Sequence, residues 1–134
     1  MILALLAVLL SASPAPATCA GSDPEVTDLS MKLVKRRNFD DHYVLTAGIT
    51  NVGAQTQEPG IVQHVALVRD GKVLAPQSVP ALGAGVRYIV AFAIDRPASQ
   101  RKEPLEVMVR YVLDKGDVAR NNCRNTSDSL TKVF

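Results

Sequence analysis

The sequence predicts an all-β chain, an antiparallel immunoglobulin-like β-sandwich of about seven strands behind a short export signal. Three observations predict it. Apolar residues recur at period two along most of the chain. Gly, Pro, Asn and Asp break that alternation at short intervals. Beyond the first residues, no stretch has both the period and the length of a helix.

The elements follow in order. Ile2 to Leu10 is an unbroken apolar run, stopped by Ser11, Ser13, Pro14 and Pro16. Ala15-Pro16-Ala17 places small residues where a signal peptidase reads, so residues 1–17 are expected to be a secretory signal peptide. The run is shorter than the roughly 20 residues that a membrane-spanning helix needs. No Lys or Arg precedes it; either the initiator amine supplies the positive charge or the true start lies upstream. Residues 18–25 read as an extended lead-in, and residues 26–134 as the domain.

Within the domain, Leu29, Met31 and Leu33 alternate with Ser30 and Lys32. Tyr43, Leu45, Ala47 and Ile49 form a second row, and Val65 and Leu67 a third. Val90, Phe92 and Ile94 follow, then Leu105, Val107, Val109, Tyr111 and Leu113, with Glu106, Arg110 and Asp114 on the opposite face. A short strand near Leu130 to Val133 ends the chain. One wet face and one dry face mark an antiparallel sheet. Between the rows stand turn residues: Asn51-Val52-Gly53, Asp70-Gly71, Pro80 to Gly85, Pro97 to Pro104, and Lys115-Gly116-Asp117. Asp70-Gly71 between two apolar runs is a two-residue hairpin signal. Short strands at this spacing suggest a sandwich of the immunoglobulin type.

Composition narrows the function. The chain has 134 residues, 47% apolar and 21% charged, which suits one globular domain with one core. Lys and Arg number 15 against 13 Asp and Glu, far from the basic excess of a nucleic-acid binder. There is no Trp and aromatics are 4%, which argues against a sugar platform built from stacked rings.

Cys19 and Cys123 are the only cysteines, and an even count in an exported protein favours a disulfide between them. The alternative is a lipoprotein cysteine at Cys19. It lacks the usual Leu three residues before the Cys and the small residue just before it; Pro16 and Thr18 stand there.

The search for chemistry finds little. His42 opens a strand, and His64 sits on the face opposite Val65 and Leu67, as a solvated histidine would. Nucleophilic catalysis needs a nucleophile, a base and an orienting group, and no such set is apparent. Asp114, Asp117, Asn121 and Asn122 offer the oxygens that calcium prefers. Lys115, Arg120 and Arg124 share that loop and repel a cation, so the oxygens read as turn caps. Gly83-Ala84-Gly85 lacks the Lys-Ser/Thr and the helix of a phosphate-binding loop. Asn125-Thr126-Ser127 fits a glycosylation sequon, which in a prokaryote would usually mean nothing. Neither a metal nor a cofactor is expected.

Strand alternation has one further consequence. Successive antiparallel strands reverse, so the end of the first strand, the Asp70 hairpin and the Pro97 to Pro104 loop fall at one end of the sandwich. That end gathers Lys35, Arg36, Arg37, Arg69, Lys72, Arg96, Arg101 and Lys102. Against these eight cations stand Asp40, Asp41, Asp70, Asp95 and Glu103, leaving an excess of three. It is a candidate basic binding end. Cys19 and Cys123 fall at the opposite end, where a bridge is geometrically allowed.

The ordered succession Asp28-Leu29, Ile49-Thr50-Asn51-Val52-Gly53, Asp70-Gly71-Lys72, Val79-Pro80-Ala81-Leu82 with Gly85, Val90-Ala91-Phe92 and Asn121-Asn122 resembles a CARDB domain, the cell-adhesion-related domain found in bacteria. The resemblance spans Val26 to Phe134. It implies an immunoglobulin-like fold, placement outside the cytoplasm of a prokaryote, and a binding or spacer role instead of catalysis. Typical members carry an acidic residue just before the paired Asn, where this chain has Val118-Ala119-Arg120.

The expected function is therefore a non-catalytic, adhesion-type interaction module, periplasmic or extracellular. It would bind a protein partner at the cell envelope, with no nucleic acid and no transmembrane anchor after signal cleavage. The alternative is carbohydrate or anionic-polymer binding through the basic end.

Overall fold

The computed structural model describes residues 20–116 and 129–134. The signal segment, Cys19 and Cys123, and the loop residues Asp117, Asn121, Asn122 and Asn125 lie outside the described residues.

Among the described residues, seven strands form two antiparallel sheets. The strands are β1 (Pro24–Arg36), β2 (Asp40–Asn51), β3 (Val62–Arg69), β4 (Lys72–Ser78), β5 (Arg87–Pro97), β6 (Glu106–Lys115) and β7 (Ser129–Val133). One sheet has the order β1-β2-β5, the other β4-β3-β6-β7. A three-stranded sheet packed on a four-stranded one is the immunoglobulin-like sandwich that the alternation predicts.

The dry rows meet between the sheets. Leu45, Ala47, Ile49, Val90, Phe92 and Ile94 of the first sheet face Val65, Leu67, Val107, Val109 and Tyr111 of the second, all buried. Each fully buried Leu, Ile or Phe there is worth roughly 1.5–3 kcal/mol over exposure. Their β-branched and aromatic character suits a pleated surface.

Turn chemistry accounts for the tightest connection. Asp70 and Gly71 both have positive φ, at 51° and 74°, and Arg69 pairs with Lys72 across them. That is a type I′ turn, whose twist matches the strands it joins.

Two features depart from the alternation. The first row fades along β1: Leu29 is buried, Met31 half-buried and Leu33 38% exposed. The reason is length, since β1 has 13 residues and the facing β7 only five. The Pro80 to Gly85 stretch is a loop, as expected, yet Val79 just before it and Leu82 within it are core residues.

Candidate functional site

The two ends of the sandwich do different work. At the end holding the β2–β3 connection, buried amides tie loops to strands. Asn51 closes β2 and is fully buried. Its Oδ1 accepts the backbone N–H of Asp23 at 2.9 Å and of Gly53 at 3.0 Å. Its Nδ2 donates to Gln55 O at 2.8 Å and Leu82 O at 3.1 Å. The Asn-x-Gly pair is therefore a hub joining the lead-in, β2 and the Pro80 loop. A Cβ on Gly53 would lie 2.1 Å from Gly21 O.

Gln57 and Gln63 pair beside this hub. Gln57 Nε2 donates to Gln63 Oε1 at 2.8 Å, and Gln63 Nε2 returns a bond to Gln57 Oε1 at 2.9 Å. Gln63 also donates to Pro80 O at 2.8 Å, Leu82 N–H donates to Gln57 Oε1 at 2.9 Å, and the Tyr111 hydroxyl donates to Gln63 Oε1. Sequence reasoning missed this network. A Gln sits in the wet row of a strand as readily as in the dry row, so only the facing strand reveals it.

The opposite end is the basic one. The β1–β2 turn, the Asp70 hairpin and the 98–105 loop all lie there, as the strand order requires. The eight cations at this end have unequal roles. Arg101 clamps Asp41 with two bonds, Nε to Oδ2 at 2.8 Å and Nη2 to Oδ1 at 2.9 Å. Arg36 Nε stands 3.4 Å from the same carboxylate, whose side chain is wholly buried. The Arg101 hydrogen bonds hold the Asp41 carboxyl below the usual range, against the opposing pull of burial. Arg101 thus pins the 98–105 loop to β2. Arg69 donates to Asp95 O at 3.1 Å, 4.0 Å from Asp70.

Arg96 is buried, with Nη2 donating to Glu103 O. Lys35, Arg37, Lys72 and Lys102 are exposed. The turn between β1 and β2 also carries Phe39, 88% exposed. The basic end is thus part scaffold, in Arg96 and Arg101, and part accessible charge.

The two histidines do not meet. His42 Nδ1 bonds Asp95 Oδ1 across the β2–β5 pair. His64 Nδ1 bonds Asp114 Oδ2 at 2.6 Å across β3 and β6, at the other end of the other sheet. Among the described residues, no three His, Cys, Asp or Glu side chains gather as a metal site. Asp114, one of the four loop oxygens considered for calcium, is engaged by His64.

The edges of the sheets also differ. β1 carries register shifts at Val26/Asp28 and Leu33/Lys35. β4 has a shift opposite Ala66/Leu67, a positive φ at Ala75 and a Pro at 76. Among the described residues β7 spans five. Bulges, prolines and shortness are the devices that keep edges from pairing. β5 has none of these inside its length; it pairs β2 without a shift from Arg87 to Pro97. Two bonds fix which way its backbone faces: Val86 O accepts from Asn51 N, and Ala98 N donates to Phe39 O. Even-numbered residues therefore turn toward β2. The N–H and C=O groups of residues 87, 89, 91 and 93 turn to the open edge, while the outward carbonyl of Asp95 is already taken by Arg69.

No family model matches the chain, and no curated protein matches it. A crystal structure of a protein from Archaeoglobus fulgidus is similar at 13% identity and TM-score 0.36, covering 82% of this chain and 91% of that one. A likeness of that degree carries no argument about function.

Proposed function

We propose that this chain is a non-catalytic, exported interaction module that binds a protein partner at the cell envelope by strand addition to β5. The observation that carries the reading is the contrast among the edges: β1 and β4 carry register shifts, β7 is short among the described residues, and β5 is open and regular from Arg87 to Ala93. An extended partner segment would bond to the outward groups of residues 87 to 93. Ala91 and Ala93 leave the outer face there low and accessible. Phe39 supports the reading as an exposed aromatic anchor of the kind that dominates protein interfaces. The export signal and the CARDB resemblance point to the same role and compartment.

A second reading, anionic-polymer binding, is favoured by the exposed Lys35, Arg37, Lys72 and Lys102 at one end. Ala93→Pro separates the two. It removes an N–H that points to the open edge, so the sandwich should keep its unfolding midpoint to within a few degrees. Crosslinking capture from an envelope extract should then recover a discrete protein with the native domain at moderate salt, and lose it with the variant. Polymer recovered only at low salt, and equally by the variant, would replace the strand-addition reading with the polymer one.

A further inference from the structure

β5 points Val90, Phe92 and Ile94 into the core, and the next residue in that row is Arg96. The guanidinium thus lies between the sheets, 6% exposed. Its register partner on β2 is Asp41, also inward. Yet Asp41 gives its carboxylate to Arg101 and Arg36. Among the described residues Arg96 has no ion pair, its Nη2 reaches only the Glu103 carbonyl, and its Nε is buried without a hydrogen-bond partner. Two arginines, Arg101 and Arg36, therefore hold that carboxylate, and Arg96 is left beside it without one. A buried guanidinium is costly unless its charge and donors are met, and among the described residues this one has a single carbonyl and no carboxylate.

Arg96 lines a groove of about 420 Å³ that opens between the sheets at the basic end. Its apolar wall is Met31, Tyr43, Leu105 and Phe134, and Lys102 stands with Glu103 at its lining. That volume is within the range of small-molecule sites, roughly 300–1,000 Å³. The groove therefore joins an apolar wall to the positive charges of Arg96 and Lys102, neither of which has an ion pair among the described residues.

We propose that this groove binds a small organic acid, a carboxylate carried on an aromatic or branched apolar body. The carboxylate lies against the groove-facing edge of the Arg96 guanidinium and neutralises it, a charge-assisted pairing stronger than a neutral one. The apolar body lies against Met31, Tyr43, Leu105 and Phe134. The site is separate from the open edge of β5, so it stands whether or not strand addition is the mode of partner binding.

The test is a titration of the purified protein with 3-phenylpropionate and, in parallel, with 3-phenylpropionamide, followed by amide and guanidinium NMR shifts. The acid should give saturable shifts at the Arg96 Nε–H and at the Tyr43, Leu105 and Phe134 amides, and the uncharged amide should bind at least tenfold more weakly. Arg96→Met should weaken the acid at least tenfold while the midpoint of unfolding stays or rises, since an apolar side chain then fills the row. Ala93→Pro should leave the titration unchanged. Equal binding of acid and amide, no saturable binding, or shifts confined to Lys35, Arg37 and Lys72 would each overturn the proposal. The acid–amide comparison on the native protein decides even if the Arg96 variant does not fold.

Discussion

Gln57 and Gln63 face each other amide to amide inside the sandwich, each giving and taking one hydrogen bond. Further bonds tie the pair to Pro80 O, Leu82 N and the Tyr111 hydroxyl. It fastens the segment after β2 to β3 and to the Pro80 loop. Deleting one member strands the other's polar atoms in the interior, which costs about 1–3 kcal/mol per orphaned group. Gln57→Leu and Gln63→Leu should each destabilise by about 2 kcal/mol or more. The double variant should lose less than the sum, because neither amide is then left unmatched. Urea unfolding of the four proteins measures this coupling, and strict additivity would show that the pair does not act as a unit.

The hub at Asn51 makes a sharper demand. Asn51→Ala removes four side-chain hydrogen bonds from a buried site. It should lower the urea midpoint with the slope unchanged, by a stability loss of about 3 kcal/mol. A loss under about 1 kcal/mol would mean that water replaces the amide and the hub is dispensable.

Two glycines should respond differently to the same change. A Cβ at Gly53 meets backbone, with Gly21 O at 2.1 Å and Asp23 N at 2.7 Å. A Cβ at Gly48 meets the tips of side chains, with Asp28 Oδ1 at 1.9 Å and Arg87 Nε at 2.6 Å. Asp28 and Arg87 form an ion pair across the outer face of the first sheet, both about half exposed. They can turn aside at the loss of a contact worth about 0–1 kcal/mol. Gly53→Ala should therefore destabilise severely and Gly48→Ala mildly, read as thermal midpoints of the two variants.

Acid should loosen the basic end. The folded state holds the Asp41 carboxyl below its ordinary range. Its contribution is therefore present above the unfolded value, about pH 4, and is lost as the pH falls through the lower, folded value. Stability should drop below about pH 4, and Asp41→Asn should flatten part of that slope. The same variant should raise amide exchange in residues 98–105, since Arg101 then loses its carboxylate clamp.

The disulfide expectation is checked by intact mass. The oxidised, exported protein should lose no thiol to iodoacetamide at Cys19 or Cys123, and should carry no lipid. A mass increase of acyl size would make Cys19 a lipid anchor instead.

Alternation of side chains by itself determined the strands, their dry faces, the Asp70 hairpin and the gathering of basic loops at one end. Period two states which face a residue takes, and consecutive reversal states which loops share an end. Both are local rules, and Leu45, Phe92 and Val107 obey them. Only the tertiary structure decided the fate of the polar residues. Gln63, Asn51, Asp41 and Arg96 carry the same chemistry whether wet or buried, and their burial depends on what lies across from them. Arg96 shows the point: the period of β5 turns it inward, but only the packed sheets show Asp41 committed to Arg101 and Arg36, the neighbouring guanidinium without a carboxylate, and a groove open beside it.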